Sequence, residues 1–97
     1  MKKLLWQQIP SPLITRLLIK YGKTFNGIVL DLEHGCFNNE TIQQCILTTK
    51  DMGVDSYIRI RHIDPTIIQM SLDSGLDGII LSTVENASDF IHLEYLC

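Results

Sequence analysis

Asp31-Leu32-Glu33-His34-Gly35 puts two carboxylates and an imidazole directly after the apolar run Gly27-Ile28-Val29-Leu30. A short apolar run bounded by turn residues reads as a buried strand. Ionisable groups at its C-terminal tip are costly to bury unless partners or a function hold them there. An imidazole in that place could serve as a general base near neutral pH, especially with a carboxylate to orient it. The competing reading of His34 is a loop histidine, hydrogen-bonded or solvated. Asp31 and Glu33 alternate with Leu32 and so face one side of an extended strand. They suit either a hydrogen-bonded strand end or a magnesium- or manganese-type oxygen site.

Two further residues carry candidate chemistry. Arg59 lies in Tyr57-Ile58-Arg59-Ile60-Arg61, where alternation sets Arg59 and Arg61 on one face. It is either an arginine snorkelling at a strand end or a bidentate clamp for a carboxylate or enolate-like oxyanion. Asp73 closes a helical stretch just before Gly75, where the helix dipole disfavours an anion. Asp51 is placed similarly in the preceding helix, so by itself Asp73 reads equally as surface.

The elements that must position these residues repeat along the chain. Strands are expected over Leu4–Ile9, Gly27–Leu32, Ser56–Arg61 and Gly78–Ser82. Ser11-Pro12 and Asp64-Pro65 are cap-plus-proline helix starts, and Asn38 caps a helix with Glu40 in its first turn. Gly22, Gly53 and Gly75 end the three helical patterns. Asn86 begins a fourth, carrying Phe90, Ile91, Leu93 and Leu96. The order is βαβαβαβα, which predicts crossover units in a parallel sheet. Four units make a small open sheet or half of an eight-stranded barrel, since a closed barrel needs about 250 residues. The expected architecture is therefore a parallel (βα)4 unit over residues 1–97, the N-terminal half of a TIM-type barrel.

Bulk properties narrow the function classes. The chain has 97 residues, 45% hydrophobic and 20% charged, with a net charge of −3. Its scattered charges suggest neither a nucleic-acid nor a membrane surface. The apolar start after Lys2-Lys3 is cut short by Gln7, Gln8 and Pro10, and no run reaches transmembrane length. Cys36, Cys45 and Cys97 lack CxxC spacing, so free thiols and a cytoplasmic location are expected. No GxGxxG or GxxxxGK loop supports nucleotide binding.

Taken together, the chain resembles the HpcH/HpaI family of aldolases, the class II pyruvate aldolases related to citrate lyase β-subunits. Four segments carry the resemblance: Trp6-Gln7-Gln8-Ile9-Pro10-Ser11-Pro12, Val29 through Gly35, Ile58-Arg59 with Asp64-Pro65, and Leu72-Asp73-Ser74-Gly75. His34 to Arg59 spans 25 residues and Asp64 to Asp73 nine, as in that family. The resemblance implies a (β/α)8 barrel and metal-dependent retro-aldol cleavage of 4-hydroxy-2-oxo acids to pyruvate and an aldehyde. It implies His34 as base, Asp73 as the residue raising its basicity, and Arg59 as the clamp on the pyruvate enolate. Asp31 and Glu33 would reach a magnesium or manganese ion through water.

The family's direct metal ligands lie on later strands, and Glu85, Asp89 and Glu94 match none of its motifs. The chain is thus expected to be a fragment that pairs with a complementary half or self-associates. Its alternatives are an inactive interaction or assembly subunit, or a small α/β binding domain.

Overall fold

The computed structural model describes residues 3–22 and 24–82. Each of the first three strands is followed by the helix its punctuation predicts: β1 (Leu4–Gln7), α1 (Pro12–Tyr21), β2 (Gly27–Asp31), α2 (Asn39–Asp51), β3 (Asp55–Ile60), α3 (Pro65–Asp73) and then β4 (Gly78–Leu81). The three expected caps that fall on described residues are made. The Ser11 hydroxyl accepts from the Ile14 N–H, Asn38 Oδ1 from Thr41, and Asp64 Oδ1 from Thr66 and Ile67. Each cap satisfies amides that the first helical turn leaves without carbonyl partners. Gly53 and Gly75, just past α2 and α3, take φ of +72° and +104°, where a side chain would be strained.

The sheet is parallel throughout, in the order β1-β2-β3-β4. That sequential order has no point where the winding reverses, which distinguishes it from a doubly wound open sheet. It is the order of consecutive barrel strands. The helices pack in sequence, α1 on α2 and α2 on α3. Between them and the sheet lies a core of Ile28, Leu30, Ile42, Ile46, Ile58, Ile60 and Ile68. Aliphatic branching suits both needs here, strand propensity and dense packing.

Strand alternation gives the sheet two different faces. Ser56, Ile58 and Ile60 are buried toward the helices, as expected, whereas Tyr57 and Arg59 are half-buried on the other side. At the same register as Tyr57 stand Val29 and Trp6, and beside Arg59 stands Asp31. This second face is where a barrel would have its interior.

The strands are shorter than expected at their C-terminal ends, for local reasons. β1 stops at Gln7, whose buried amide donates to the carbonyls of Ile9 (2.7 Å) and Ser11 (3.0 Å) and accepts from the Thr15 hydroxyl (2.7 Å). These bonds hold the chain in a turn through Pro10, leaving Ile9 exposed. β2 stops at Asp31 because its carboxylate bonds the next amides, as described below. The fourth helical pattern, with Glu85, Asp89, Glu94 and Cys97, lies outside the described residues. Of the other thiols, Cys36 is exposed, Cys45 is buried, and both are free. Among the described residues no helix is long and apolar enough to cross a membrane.

Candidate active site

Asp31 organises the tip of β2. Its side chain is almost fully buried, and Oδ1 accepts the backbone N–H groups of Glu33 and His34, each at 3.1 Å. This turns the chain immediately after the strand and brings the His34 side chain back over its own carboxylate. Gly35 tightens the turn, its N–H donating to the Asp31 carbonyl at 2.9 Å. A Cβ at Gly35 would come within 2.6 Å of the carbonyl oxygens of both Asp31 and Gln8, so the position admits only glycine without backbone movement.

The other carboxylate oxygen of Asp31 is a meeting point. Oδ2 lies 3.2 Å from His34 Nδ1 and accepts from Arg59 Nη1 at 3.2 Å and from Gln8 Nε2 at 3.4 Å. Arg59 Nη1 is also 3.1 Å from His34 Nδ1. The second guanidinium nitrogen, Nη2, is 3.3 Å from Glu33 Oε2. Behind Arg59, the Trp6 ring lies with its centroid 5.3 Å from the guanidinium carbon. Three strands thus contribute to one cluster: Trp6 from β1, Asp31 and the turn after it from β2, and Arg59 from β3.

The electrostatics follow from this packing. Burial pushes the Asp31 carboxyl up, but the hydrogen bonds from His34, backbone first and then side chain, from Gln8, and the Arg59 charge outweigh it. The net effect holds Asp31 below its ordinary value and ionised at neutral pH. Glu33 is also held down, first by the neighbouring Ser82 hydroxyl and then, against desolvation, by Arg59 and His34. The Ser82 contact falls short of a well-formed hydrogen bond, since its oxygen has no such partner. With Asp31 anionic, a neutral His34 that donates from Nδ1 to Oδ2 keeps a lone pair on Nε2. That nitrogen has Glu33 Oε1 at 4.0 Å, and the His34 side chain is 55% exposed. The arrangement presents a carboxylate-oriented imidazole and a guanidinium, side by side and open to solvent.

Comparison with known proteins bears on the fold that carries this cluster. No family model matches the chain. A hydroxypyruvate/pyruvate aldolase of Rhizorhabdus wittichii is 24% identical over 84 residues, covering 87% of this chain and 33% of the aldolase. Among solved structures, the HpcH/HpaI aldolase of Desulfitobacterium hafniense superposes with a TM-score of 0.73 at 25% identity, over 92% of this chain and 33% of that one. The fold is that of the HpcH/HpaI aldolases. The citrate synthase SbnG is similar as well, with a TM-score of 0.83 at 24% identity, over 95% of this chain and 37% of its own. These neighbours are TIM barrels, and this chain, with four parallel strands and three intervening helices among its described residues, corresponds to about a third of each. The chain likewise spans about a third of the curated relative's length.

Within the HpcH/HpaI fold, the residues expected from sequence separate into two groups. His34, Arg59, Asp31 and Glu33 converge at the C-terminal strand tips, where barrel enzymes carry their sites. Asp73 does not join them. It is the last residue of α3, exposed, just before the loop that leads to the N-terminal end of β4. The carboxylate touching the imidazole in this chain is Asp31.

Sequence reasoning missed Trp6 and Gln8 as members of the cluster. Their signal was present, because both lie in the first of the four motif segments, but no local rule ties them to Arg59 or Asp31. Only the parallel register of β1 on β2 does so.

The described residues contain no group of three His, Cys, Asp or Glu side chains able to hold a metal ion. Asp31 in particular has its oxygens engaged by Gln8, Arg59, His34 and two backbone amides. It does not fit direct ligation of a cation.

Proposed function

We propose that the Asp31–His34–Arg59 cluster is one wall of a pyruvate aldolase-type carbon–carbon lyase site. The observation that carries this reading is the shared contact: one buried carboxylate oxygen lies 3.2 Å from both the imidazole and the guanidinium. The substrate class is a 4-hydroxy-2-oxo acid, by similarity to the pyruvate aldolase among the relatives.

In this mechanism the His34 Nε2 lone pair takes the proton of the C4 hydroxyl, directly or through a water. The C3–C4 bond breaks as the C4–O electrons form the aldehyde carbonyl. The bonding pair moves to C3 and onto the 2-oxo oxygen as an enolate. Arg59 stabilises that charge and the adjacent carboxylate. Return of the proton from His34 to C3 yields pyruvate, so atoms and charge balance. Asp31 stays ionised, fixing the imidazole and offsetting the imidazolium.

The resemblance adds a divalent cation, magnesium or manganese, whose direct ligands belong to strands beyond this unit. Because the described residues do not fit direct ligation, no step here is assigned to it.

Residues 1–97 form part of a barrel domain in this reading, and a complementary half or a second copy completes it. A second reading, an assembly or interaction subunit without turnover, is favoured by one feature. β1 and β4 are both edge strands among the described residues, and edge strands invite pairing.

The test is pyruvate release from a 4-hydroxy-2-oxo acid with manganese or magnesium present. The chain is assayed alone and with a C-terminal half taken from a related aldolase. Turnover in either mixture supports the lyase. A folded chain that releases no pyruvate in both supports the assembly reading instead. If turnover occurs, Asp31→Asn and Asp73→Asn decide which carboxylate tunes the base: the geometry expects the larger loss from Asp31→Asn.

A further inference from the structure

Arg59 is surrounded on three sides, and the third is aromatic. Its Nη1 donates to Asp31 Oδ2 and meets His34 Nδ1. Nη2 stands 3.3 Å from Glu33 Oε2 without completing a hydrogen bond, since that oxygen remains unpartnered. No hydrogen bond among the described residues engages Nε. The Nε and Nη2 donors together form one forked edge of a guanidinium, the edge that binds carboxylates in bidentate fashion. The carboxylates alone would not settle the plane of the ring of donors, because an ion pair tolerates rotation about its contact.

The Trp6 ring supplies what the ion pairs lack. It lies 5.3 Å from Arg59 Cζ, within cation–π range, and comes from β1, two strands away from Arg59 on β3. Trp6 shares its register with Val29 and Tyr57, one alternation below the Asp31–Arg59 pair on the same face. From there the indole spans the intervening strand. Val29, flanked by Trp6 and Tyr57, is fully buried even though it points away from the helices, whereas Trp6 itself is 51% exposed.

We infer that Trp6 is a positioning residue for Arg59: its indole face holds the guanidinium plane so that Nε–H, unengaged among the described residues, is presented to a ligand carboxylate whose second oxygen takes the place of Glu33 at Nη2. The inference rests on the anion-binding role given to Arg59 above. It predicts that Trp6 acts on ligand binding through Arg59 and not by touching the ligand.

Trp6 is the only tryptophan of the chain, which makes the test direct. The probe is oxalate, a planar stand-in for the pyruvate enolate, titrated calorimetrically. The Arg59 Nε–H resonance of the 15N-labelled chain, assigned through Arg59→Lys, reports on the guanidinium itself. Trp6→Leu is expected to shift that resonance and weaken oxalate binding about two- to five-fold, with Trp6→Phe recovering part of both. In the Arg59→Lys background, Trp6→Leu should have no further effect on oxalate. Far-UV circular dichroism checks that Trp6→Leu remains folded, and Trp6→Phe carries the test if it does not.

An unmoved Arg59 resonance with unchanged oxalate affinity overturns the inference and leaves the lyase reading standing. So does an equal loss in the Arg59→Lys background, which would make Trp6 a direct ligand contact. A chain that binds no oxalate but shows the Arg59 shift keeps the positioning role and removes the anion-binding one.

Discussion

Asp31 decides how the candidate site depends on pH. Its carboxyl titrates below the ordinary value, so the folded state binds its proton more weakly than the unfolded chain does. The sign follows: this stability is fully present above the unfolded value of about 4, and it is lost as pH falls through the folded value. Asp31→Asn should therefore destabilise the chain by about 1.5–3 kcal/mol at pH 7, the range for hydrogen bonds to a charged group. The gap to the parent chain should hold down to about pH 5 and close below about pH 4. Urea unfolding at several pH values measures it, and a gap independent of pH would mean that the carboxylate is not the stabilising species. If the complemented chain turns over, His34→Ala should remove 10²-fold or more of the rate, in the range for loss of a general base. Arg59→Ala should cost a comparable factor, since it removes an oxyanion donor. Steady-state pyruvate release reads both.

At the scale of elements, the turns after β1 and β2 hold much of the site, and each of these two has a buried polar or glycine device. The β1–α1 turn depends on Gln7, whose amide is satisfied by Ile9, Ser11 and Thr15. Thr15→Val keeps the shape but leaves Gln7 Oε1 without its donor in a fully buried place. It should cost about 1–3 kcal/mol by thermal or urea unfolding. The β2–α2 turn depends on Gly35. Gly35→Ala should cost about 1–3 kcal/mol and also displace Gln8 or Asp31, because the added carbon meets backbone, which cannot swing aside. The paired outcome is specific: stability and oxalate affinity fall together in Gly35→Ala, whereas removal of a cap, Asp64→Ala, lowers stability by about 1 kcal/mol and leaves oxalate affinity alone.

For the molecule as a whole, what matters is the surface that the four units leave uncovered. On the outer side, Leu13, Leu17 and Tyr21 recur at helical spacing on α1 and are 63%, 40% and 74% exposed. Leu17 and Tyr21, with Ile14, Leu18, Leu5 and Gly22, border an apolar hollow beside β1, an edge strand among the described residues, with a volume near 410 Å³. A barrel neighbour would cover that hollow and pair with that edge. If a complementary half completes the domain, Leu17→Glu should abolish the complex in size-exclusion chromatography with light scattering. The isolated chain's helix content should stay the same. A complex that survives Leu17→Glu would place the partner elsewhere.

The legibility of this protein follows the range of the interactions involved. Strand and helix order, the three described helix caps and the inward face of β3 could be read from the chain. They depend on near neighbours and on a period of two or 3.6 residues. The same is true of the Asp31–Glu33–His34 cluster, a local turn on a strand tip. The strand ends were misplaced by one or two residues, since Gln7 and Asp31 end their strands with side-chain bonds that no periodicity announces. What only the tertiary structure decided is which distant residues share a site. Parallel pairing brings Arg59 of β3 onto the Asp31 carboxylate and Trp6 of β1 against Arg59, while the direction of α3 carries Asp73 to an exposed helix end. A sequence records spacing along the chain, but register and strand direction come from packing a whole sheet against its helices, and they set which side chains meet.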